Sequence, residues 1–507
     1  MRGKVDIVIA CSFLLLAAAS VVPVHAQSIS FPTLQDRITL ATNWLLSYQA
    51  YNFTTVDDLG KTLVYFSDLK QVLPGQFPVD PTMAKLTALM LAHVTSNLTF
   101  SYLDPDGRFI SQDFGWWNAF AAEAIAISSV RILLSPNLDL QSRTLYLNAT
   151  GIVEKMIMKW GPVVAQSDGS WMFAYPFIGQ DNSLDANAMM LTALTILAGF
   201  EQSRGDPLHQ VSQFTTWSSE IAGWILARQE KHLLWLRGGF YNDGANQTMY
   251  TDSNARAVFA LITYANQIGT LSANASPSRL EVLTALQFWT NFIPYSDYNP
   301  SLSFGMRDQY DYGPYWYVTK CSSAPSNLEV GVNGTVYDQQ QGLCFFRYPK
   351  ETWRAAVVGR ALLGLYNATT NADLVLRAIY YYGWMTGNNE LQTDLQQTAG
   401  QTQAMAVPFG ELIPPGRGGF WVGIKRSGWS PNATNTATTL MPSHAPLEST
   451  AESADFLIHL LDKWRGLSWT FEATAFTPTI SQQIIFDNLT HKVESGVITA
   501  YCDLFKI

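Results

Sequence analysis

The links between the helices predicted from this sequence are of two alternating kinds, and this alternation constrains the fold more than any other feature. Helical periodicity with Ala, Leu and Met at the apolar positions dominates the 507 residues, whereas alternating strand patterns are scarce. The short links are SPNLD, SRGDP, GTLSANAS and TTNAD, and the long links include DPDGRFISQD, SDGSWMFAYPFIGQDNS and LRGGFYNDGANQTMYTD. Because a short link joins antiparallel neighbours, we expect all of the long links to emerge at one end of the molecule.

The same periodicity gives the positions of the helices. Eleven long helices are predicted, at about Leu34–Gln49, Pro81–Thr95, Phe114–Leu134, Leu140–Trp160, Asp185–Gln202, His209–Gln229, Asp252–Gln267, Ser278–Phe292, Glu351–Tyr366, Ala372–Thr386 and Glu448–Trp464. The two longest links between them cover about Pro294–Lys350 and Gly387–Leu447.

The long links share a glycine that is followed by an aromatic residue, in DGRF, DGSW, GGFY, QGLCFF and GGFW. After each of them a helix opens with an acid, and these acids are Asp113, Asp185, Asp252, Glu351 and Glu448. This degenerate repeat has a period of about 60 to 100 residues. TPR, HEAT and armadillo repeats are shorter and more even, so the pattern favours a closed ring of helical hairpins over an open solenoid.

The hairpin period, links such as SDGSW and RGGFY, and helix openings such as SLDANAMML and YTDSNARAVFAL resemble those of the six-hairpin glycosidase-like α/α-toroid proteins. The resemblance covers about Leu34 to Trp464 and assigns no single family. It implies an all-α, (α/α)6-type toroid of helical hairpins, with long aromatic-rich loops on one face and a small irregular or β C-terminal tail. The first hairpin lacks the Gly-aromatic link, and the sixth lacks an evident outer helix.

In such folds the inner helices line a central depression, and the loops at their N-terminal ends form the active cleft. The inner helices implied here are those that start near Phe114, Asp185, Asp252, Glu351 and Glu448. The predicted domain organisation is a signal peptide over residues 1–26, a toroid over 27–465, and a C-terminal tail over 466–507 that packs on the toroid.

The first residues are typical of an export signal. Arg2 and Lys4 precede an apolar stretch, IVIACSFLLLAAASVV, and the small-residue sequence VHA precedes Gln27. We therefore expect cleavage after Ala26 and a secreted or surface-exposed protein without a membrane span after cleavage; a retained membrane anchor is the alternative. Nine Asn-x-Ser/Thr sites agree weakly with export, and they are Asn52, Asn97, Asn148, Asn246, Asn274, Asn333, Asn367, Asn432 and Asn488.

Cysteine use and net charge further limit the classes of protein that fit this sequence. Beyond the leader there remain Cys321, Cys344 and Cys502, and we predict a Cys321–Cys344 disulfide within one long link; pairing that involves Cys502 is the alternative. The formal net charge is −9 and no basic cluster is present, which argues against binding to nucleic acid or to anionic lipid. No cofactor or metal is expected.

The acids at the helix openings have two interpretations. In one of them they only cap helices, because a carboxylate accepts bonds from free backbone amides and complements the helix dipole; Asp185 and Asp252 fit this well. In the other, acids from different hairpins converge on one cleft and supply the carboxyl pair that glycoside hydrolysis needs. The predicted catalytic pool is Asp113, Asp181, Asp185, Asp252 and Glu351. Within it, Asp181 suits the proton donor, and Asp185 or Asp252 suits the base.

Aromatic residues are concentrated in the long links, and flat rings match the apolar CH faces of pyranose rings. The predicted sugar-binding residues are Trp116, Trp171, Tyr175, Tyr241, Tyr315, Trp316 and Trp421. Further ring positions of the same kind are Trp117, Phe173, Trp235, Phe240, Tyr317, Phe420 and Trp429. For each of them, ordinary packing of a long loop onto the helix ends is the competing interpretation.

The sequence thus predicts a secreted carbohydrate-active enzyme, most simply a glycoside hydrolase, whose substrate is an oligo- or polysaccharide. GxSxG, Walker, Rossmann and HExxH patterns are absent from the sequence, which argues against several other chemistries. Three different functions remain open: a non-catalytic glycan-binding or cell-surface structural protein, a polysaccharide lyase that uses His444 beside Arg417 or Arg426, and a terpene-cyclase-like toroid.

Overall fold

Eleven α-helices are complete in the part of the chain that the computed structural model describes. That part comprises residues 34–101, 115–136, 138–161, 164–165, 171–172, 183–204, 209–232, 237–242, 248–271, 276–290, 317–321, 335–338, 342–346, 350–371, 374–375, 378, 381–382, 385, 419–420, 423–427, 437–441 and 446–466. The predicted signal peptide and C-terminal tail lie outside these residues.

The helices agree with the sequence periodicity with one exception. They are α1 (Leu34–Ser47), α2 (Val56–Val72), α3 (Asp80–Ala92), α4 (Gly115–Leu133), α5 (Leu140–Trp160), α6 (Leu184–Arg204), α7 (His209–Ala227), α8 (Thr251–Leu271), α9 (Arg279–Trp289), α10 (Thr352–Thr369) and α11 (Pro446–Gly466). The predicted helix at Ala372–Thr386 is represented by helical positions between 374 and 385. Helix α2 was not predicted. Its residues are buried on nearly every side, including charged ones, so no single apolar stripe marks it in the sequence.

Six of the helices form a closed inner ring. Helices α2, α4, α6, α8, α10 and α11 pack in that order, and α11 returns to pack against α2. Outside the ring, α1 packs on α11, α3 on α2 and α5, α5 on α4, α7 on α6 and α8, and α9 on α8 and α10. The all-α toroid expected from the sequence is confirmed. Helix α2 is the inner helix of the first hairpin, and α11 is that of the sixth.

The inner and outer helices differ in composition because they differ in burial. Inner helix α6 is covered on all sides, and Ala, Leu and Met fill it from Ala186 to Ala198 with little amphipathic pattern. The outer helix α5 buries only one face, through Tyr146, Val153 and Trp160 among others. Short links lead from α2, α4, α6 and α8 into the outer helices α3, α5, α7 and α9, so the N-termini of these inner helices lie together at one end of the ring, which we call the mouth. Ion pairs bring the first turns of α10 and α11 to the same end.

The described strands lie in the links that lead to the mouth. They are β1 (Val164–Ala165), β2 (Trp171–Met172), β3 (Met249–Tyr250), β4 (Tyr317–Lys320), β5 (Thr335–Asp338), β6 (Leu343–Phe346), β7 (Lys350–Glu351), β8 (Gly423–Ser427) and β9 (Ala437–Met441). They pair antiparallel as β1-β2, β3-β4-β6-β5 and β7-β8-β9. Strand β3 runs directly into α8, and β7 runs directly into α10, so these sheets fix where two inner helices begin.

The aromatic residue of the repeated link motif is a packing residue at two positions. Phe240 and Phe420 are 0% and 1% exposed, so neither is available as a sugar platform. The backbone N–H of Phe240 donates to Asn254 Oδ1 at 2.6 Å, and that of Phe420 donates to Thr450 Oγ1 at 2.8 Å. In the link before α4, the backbone N–H of Phe100 donates to Asn118 Oδ1 at 2.6 Å in the same way. A polar side chain in the first turns of an inner helix therefore anchors the link that precedes it.

The glycine of this motif has its own steric reason. Gly238 adopts a φ of +94°, and a Cβ built on it would lie 2.1 Å from the carbonyl oxygen of Phe288 in α9. Only glycine tolerates both this backbone conformation and such a close approach. The GGF sequence thus lets the link pass against the end of an outer helix before Phe240 enters the core.

We expect Gly238→Ala to lower the free energy of unfolding by at least about 2 kcal/mol, because it adds backbone strain to a clash with a carbonyl group. The matched control is Gly151→Ala in α5, where a new Cβ meets nothing within 4 Å. That variant should gain about 0.5–1 kcal/mol. Urea unfolding followed by circular dichroism measures both changes, and equal stability of the two variants would contradict this account of the link.

Candidate active site

Charged side chains from the first turns of the inner helices line the mouth. The acids are Asp57 and Asp58 of α2, Asp185 of α6, Asp252 of α8, Glu351 beside α10, and Glu448 and Glu452 of α11. The cations are Lys61, Arg256 and Arg354. Acids therefore exceed cations, and each cation comes from a different inner helix.

Most of these acids are ion-paired. Arg354 Nε lies 2.6 Å from Glu351 Oε2, and its Nη1 atom donates to Asp252. Lys61 pairs with Glu448 and also with Asp57, at 3.4 Å. Each pair except Lys61–Asp57 and Arg354–Glu351 joins two different inner helices, so the pairs also hold the mouth together.

The remaining cation, Arg256, is paired across the ring. Its Nη2 atom lies 3.2 Å from Glu452 Oε1, and its Nε atom lies 4.0 Å from Asp185 Oδ1. Its guanidinium group stands 5.3 Å from the centre of the Phe120 ring, and Lys61 stands 5.3 Å from the same ring. Phe120 therefore contacts two cations and stabilises the position of each through its π face.

Asp185 differs from the other acids of the mouth. Its Oδ2 atom accepts a hydrogen bond from Ser253 Oγ at 2.8 Å, whereas its buried Oδ1 atom has no hydrogen-bond partner within the described residues. Burial raises the pKa of Asp185 to about 6, and the nearby Asp252 contributes to the increase; Arg256, Ser253 and Arg354 oppose it. About a quarter of its side chain remains exposed, so a bound molecule has access to it.

The capping interpretation is wrong for Asp185. Ser183 caps α6, since its Oγ accepts a bond from the backbone N–H of Ala186 at 3.2 Å. Capping would strengthen the acidity of Asp185, but its pKa is raised. Its expected role therefore changes from base to proton donor. Glu351 stands at the N-cap position of α10 but makes no capping bond, and its carboxylate binds Arg354 instead.

A partly open cavity of about 40 Å³ lies next to the mouth and shares Lys61, Arg256 and Glu452 with it. Five inner helices contribute charged groups or rings to its wall, including Lys61, Phe120, Glu123, Arg256 and Glu452. Burial raises the pKa of Glu123 to about 7, although Arg256 and Arg360 oppose this increase. Glu123 is therefore a second carboxyl group that holds its proton near neutral pH.

A deeper ion-pair network ties four inner helices together. Asp68 of α2 accepts bonds from Arg131 of α4, from Arg360 Nη2 at 3.2 Å and from His459 Nε2 at 2.9 Å. Asp68, Asp455 and His459 also bring three possible metal ligands within 4.8 Å of one another. Arg131 and Arg360 already neutralise these carboxylates, so we interpret the group as a structural network. Burial lowers the pKa of His459 to about 4, despite Asp455, so the ring is neutral and its Nε2 carries the donated hydrogen.

Three of the five predicted catalytic residues meet at the mouth: Asp185, Asp252 and Glu351. Asp113 and Asp181 lie outside the described residues. Of the predicted sugar-binding residues, Tyr175, Tyr315, Trp316 and Trp421 lie outside them, and the side chains of Trp116 and Trp171 do as well. Tyr241 is half-buried against the core and donates from its hydroxyl to Glu230 Oε2 at 2.5 Å, so this ring is held by packing and by Glu230.

Sequence reasoning missed the cations of the mouth and the buried Glu123. Lys61 lies in α2, which the sequence analysis did not predict, and its partner Glu448 is 387 residues away. A usable signal was present for Glu123 and Arg256, because each stands within a run of apolar residues, AFAAEAIAI and ARAVFALI. A fully buried charge requires a partner, so such positions indicate an internal polar site.

Three features of the described residues are relevant to the predicted export of the protein. The Sγ atoms of Cys321, which directly follows β4, and of Cys344 in the neighbouring strand β6 are 2.01 Å apart, which is the distance of a bonded pair. The four sequon asparagines within the described part, Asn52, Asn97, Asn148 and Asn367, are all exposed. No described helix is both long and apolar enough to cross a membrane.

Comparison with known proteins places the ring among solved structures. No protein-family model matches the chain, and no curated protein matches it. A solved D-mannose isomerase is similar over 85% of this chain and 97% of its own, with a TM-score of 0.50 and 10% identity. The chain has the six-hairpin α/α-toroid fold. At this identity the likeness shows the fold of the toroid alone.

Two other solved toroids have comparable coverage. A sugar epimerase from a ruminal bacterium matches with a TM-score of 0.48 and 10% identity, over 86% of this chain and 99% of its own. A family 76 glycoside hydrolase, an α-mannanase from Bacteroides thetaiotaomicron, matches with a TM-score of 0.42 and 14% identity, over 79% and 99%.

The raised pKa of Glu123 predicts a pH-dependent stability. Between pH 4.5 and about 7 the folded toroid keeps a proton that the unfolded chain releases, so this contribution is full below pH 4.5 and is lost as the pH rises through 7. Glutamine cannot ionise, so we expect Glu123→Gln to remove this pH-dependent loss of stability. The variant should be more stable than wild type by about 3 kcal/mol at pH 8, and by much less at pH 5.

The control for this experiment is Glu281→Gln. Ser278 lowers the pKa of this exposed carboxyl through its backbone N–H and its hydroxyl, so Glu281 does not titrate between pH 5 and 8. Chemical denaturation at both pH values, with the difference taken for each variant, provides the measurement. If Glu123→Gln followed wild type at both pH values, Glu123 would be ionised throughout.

Proposed function

We propose that this toroid is a carbohydrate-active enzyme, a glycoside hydrolase in which Asp185 is the proton donor at the mouth. The observation that carries the proposal is the state of Asp185: a carboxyl group at the mouth with about a quarter of its side chain exposed and a pKa of about 6. A general acid must hold its proton near the working pH and must reach the substrate. Asp185 satisfies both conditions. Burial also raises the pKa of Asp57, Asp58 and Glu351, but Asp57 and Glu351 are paired with Lys61 and Arg354.

The second carboxyl of the pair is Asp252 in this proposal. It lies close enough to Asp185 to raise the pKa of that group, and its own carboxylate accepts a bond from Arg354. A guanidinium partner favours the charged form of a carboxylate, which is the form that a base or a nucleophile requires. Two neighbouring carboxyl groups thus stand in unlike environments, as glycoside hydrolysis requires.

One observation favours a second function, that of a non-catalytic glycan-binding protein. Asp57, Asp252, Glu351, Glu448 and Glu452 are all ion-paired, so their charges also stabilise the ring without any reaction. A purely binding function leaves Asp185 without a chemical task, and the two functions therefore predict different results for its variants.

The geometry disfavours a polysaccharide lyase and a terpene cyclase. A lyase needs a cation to neutralise a uronate, but the described cations of the mouth, Lys61, Arg256 and Arg354, are already paired with acids. His444 and Arg417 lie outside the described residues, and Arg426 lies in β8. A terpene cyclase needs a hydrophobic cavity, whereas charged groups line the cavity next to the mouth here.

We expect Asp185→Asn to lower kcat/KM on the identified glycan by about 10²–10⁴-fold, because general acid catalysis contributes that much. The substrate is first found by mass spectrometry of products from a panel of neutral, acidic and amino-sugar polysaccharides. Reducing sugars are assayed in parallel for isomerisation or epimerisation. Wild-type kcat/KM should fall as the pH rises above about 6, because Asp185 then loses the proton that it donates.

The matched control is Asp139→Asn. Asp139 is an exposed acid that caps α5 on the face opposite the mouth, and it accepts a bond from the backbone N–H of Ser142 at 2.9 Å. This variant should keep wild-type turnover and nearly all of its stability, because Asn caps a helix about as well as Asp. Undiminished turnover by Asp185→Asn would refute the assignment, and glycan binding without any product would favour the non-catalytic function.

We also propose that the protein is exported, glycosylated and held by a Cys321–Cys344 disulfide. The exposure of the four described sequons and the distance between the two sulphurs support this. Expression in a eukaryotic host should give a secreted chain that starts at Gln27 and loses mass on treatment with an N-glycosidase. Peptide mapping without reduction should recover the two cysteines in one linked peptide pair. A cell-retained chain that still carries residues 1–26 would refute export.

A further inference from the structure

Asp185 is held from both sides by a single helix. Ser253 and Arg256 lie one turn apart in α8, so their side chains project from the same face. Ser253 Oγ donates to Asp185 Oδ2 at 2.8 Å, and Arg256 Nε faces Asp185 Oδ1 at 4.0 Å. Each carboxyl oxygen thus has its own neighbour on α8, and the plane of the carboxyl group is fixed from α8.

Arg256 is itself held away from full contact with Asp185. Its Nη2 atom binds Glu452 of α11 at 3.2 Å, and its guanidinium group rests over the Phe120 ring of α4. These contacts from two other inner helices account for the 4.0 Å gap to Asp185. A direct bidentate pair would lower the pKa of Asp185 and would make it a poor proton donor.

We propose that Ser253 and Arg256 are positioning residues for the acid of the mouth: Ser253 orients the carboxyl group of Asp185, and Arg256 limits its proton affinity from a distance that Glu452 sets. This inference rests on the proposed function for the catalytic meaning of Asp185, but the contacts that carry it are independent of any substrate.

The charged groups around Asp185 come from several helices. Asp252 and Arg256 lie on α8, Arg354 lies on α10, and Glu123 of α4 contacts α6 through Thr192. Asp252 raises the pKa of Asp185, whereas Arg256 and Arg354 lower it. Arg354 is already bonded to Glu351 and to Asp252, the acid beside Asp185. The position of Arg256 is instead set chiefly by Glu452 of α11.

The experiment measures the pKa of Asp185 directly, by carbon-13 NMR of the full-length protein labelled at the aspartate carboxyl carbons. The Asp185→Asn spectrum identifies the resonance. We expect Arg256→Met to raise this pKa by about one to two pH units, Arg256→Lys to restore part of the difference, and Ser253→Ala to raise it by a smaller amount. Arg143→Met, on the exposed surface of α5, is the matched control and should leave it unchanged.

Removal of Arg256 leaves Glu452 buried without its partner, which itself destabilises the ring. The double variant Arg256→Met/Glu452→Gln removes both charges and should show the same rise in the pKa of Asp185. Once a substrate is known, both Arg256→Met and Ser253→Ala should lower kcat with little change in KM, and the alkaline limb of the Arg256→Met profile should move to higher pH.

The outcomes separate this inference from the proposed function. An unchanged Asp185 pKa in Arg256→Met, in the double variant and in Ser253→Ala would overturn the inference, even if Asp185→Asn abolished hydrolysis. A raised pKa in a protein that acts on no glycan would support the inference and would refute the hydrolase. A loss of kcat in folded Arg256→Met with no movement of the pH profile would count against positioning and for a purely structural role.

Discussion

The packing of α11 against α2 closes the ring, and the mouth exists only because of this contact. Lys61 of α2 and Glu448 of α11 are ion-paired across 387 residues of sequence, and His459 of α11 donates to Asp68 of α2 a few turns below. Five of the six inner helices contribute charged groups from their N-terminal turns to the same small area. Without closure, the acids of different hairpins would face water separately, and their pKa values would not be coupled.

Burial of charge sets the chemistry of this area. An unpaired buried ion costs several kcal/mol, so an apolar ring that contains charged residues must pair them. Most acids of the mouth are accordingly neutralised by Lys61, Arg256 and Arg354. Because acids exceed cations, burial raises the pKa of several carboxyl groups, and it raises that of Asp185 to about 6 and that of Glu123 to about 7. The shortage of cations is thus the physical reason for the proposal that Asp185 is a proton donor.

The repeated Gly-aromatic link is a packing device that holds the loops in place. Phe240 and Phe420 are buried, and Asn254 and Thr450 of the following inner helices bind their backbone N–H groups. Because these anchors lie at the start of the inner helices, they fix the loop ends next to the acids of the mouth. In the sequence this motif looks suited to sugar stacking. At these two positions its ring is buried, and the motif instead holds the end of a link beside the mouth.

The sequence by itself determined the helices, the hairpin order and the common end at which the long links emerge, because periodicity and link length are local properties. It also placed Asp185, Asp252 and Glu351 at that end. Only the tertiary structure decided that α2 is an inner helix, which cation pairs with which acid, and that Ser183 rather than Asp185 caps α6. Those outcomes depend on distances between helices that are far apart in the chain. The proton affinity of a carboxyl group follows from its burial and its neighbours, which no local pattern of residues specifies.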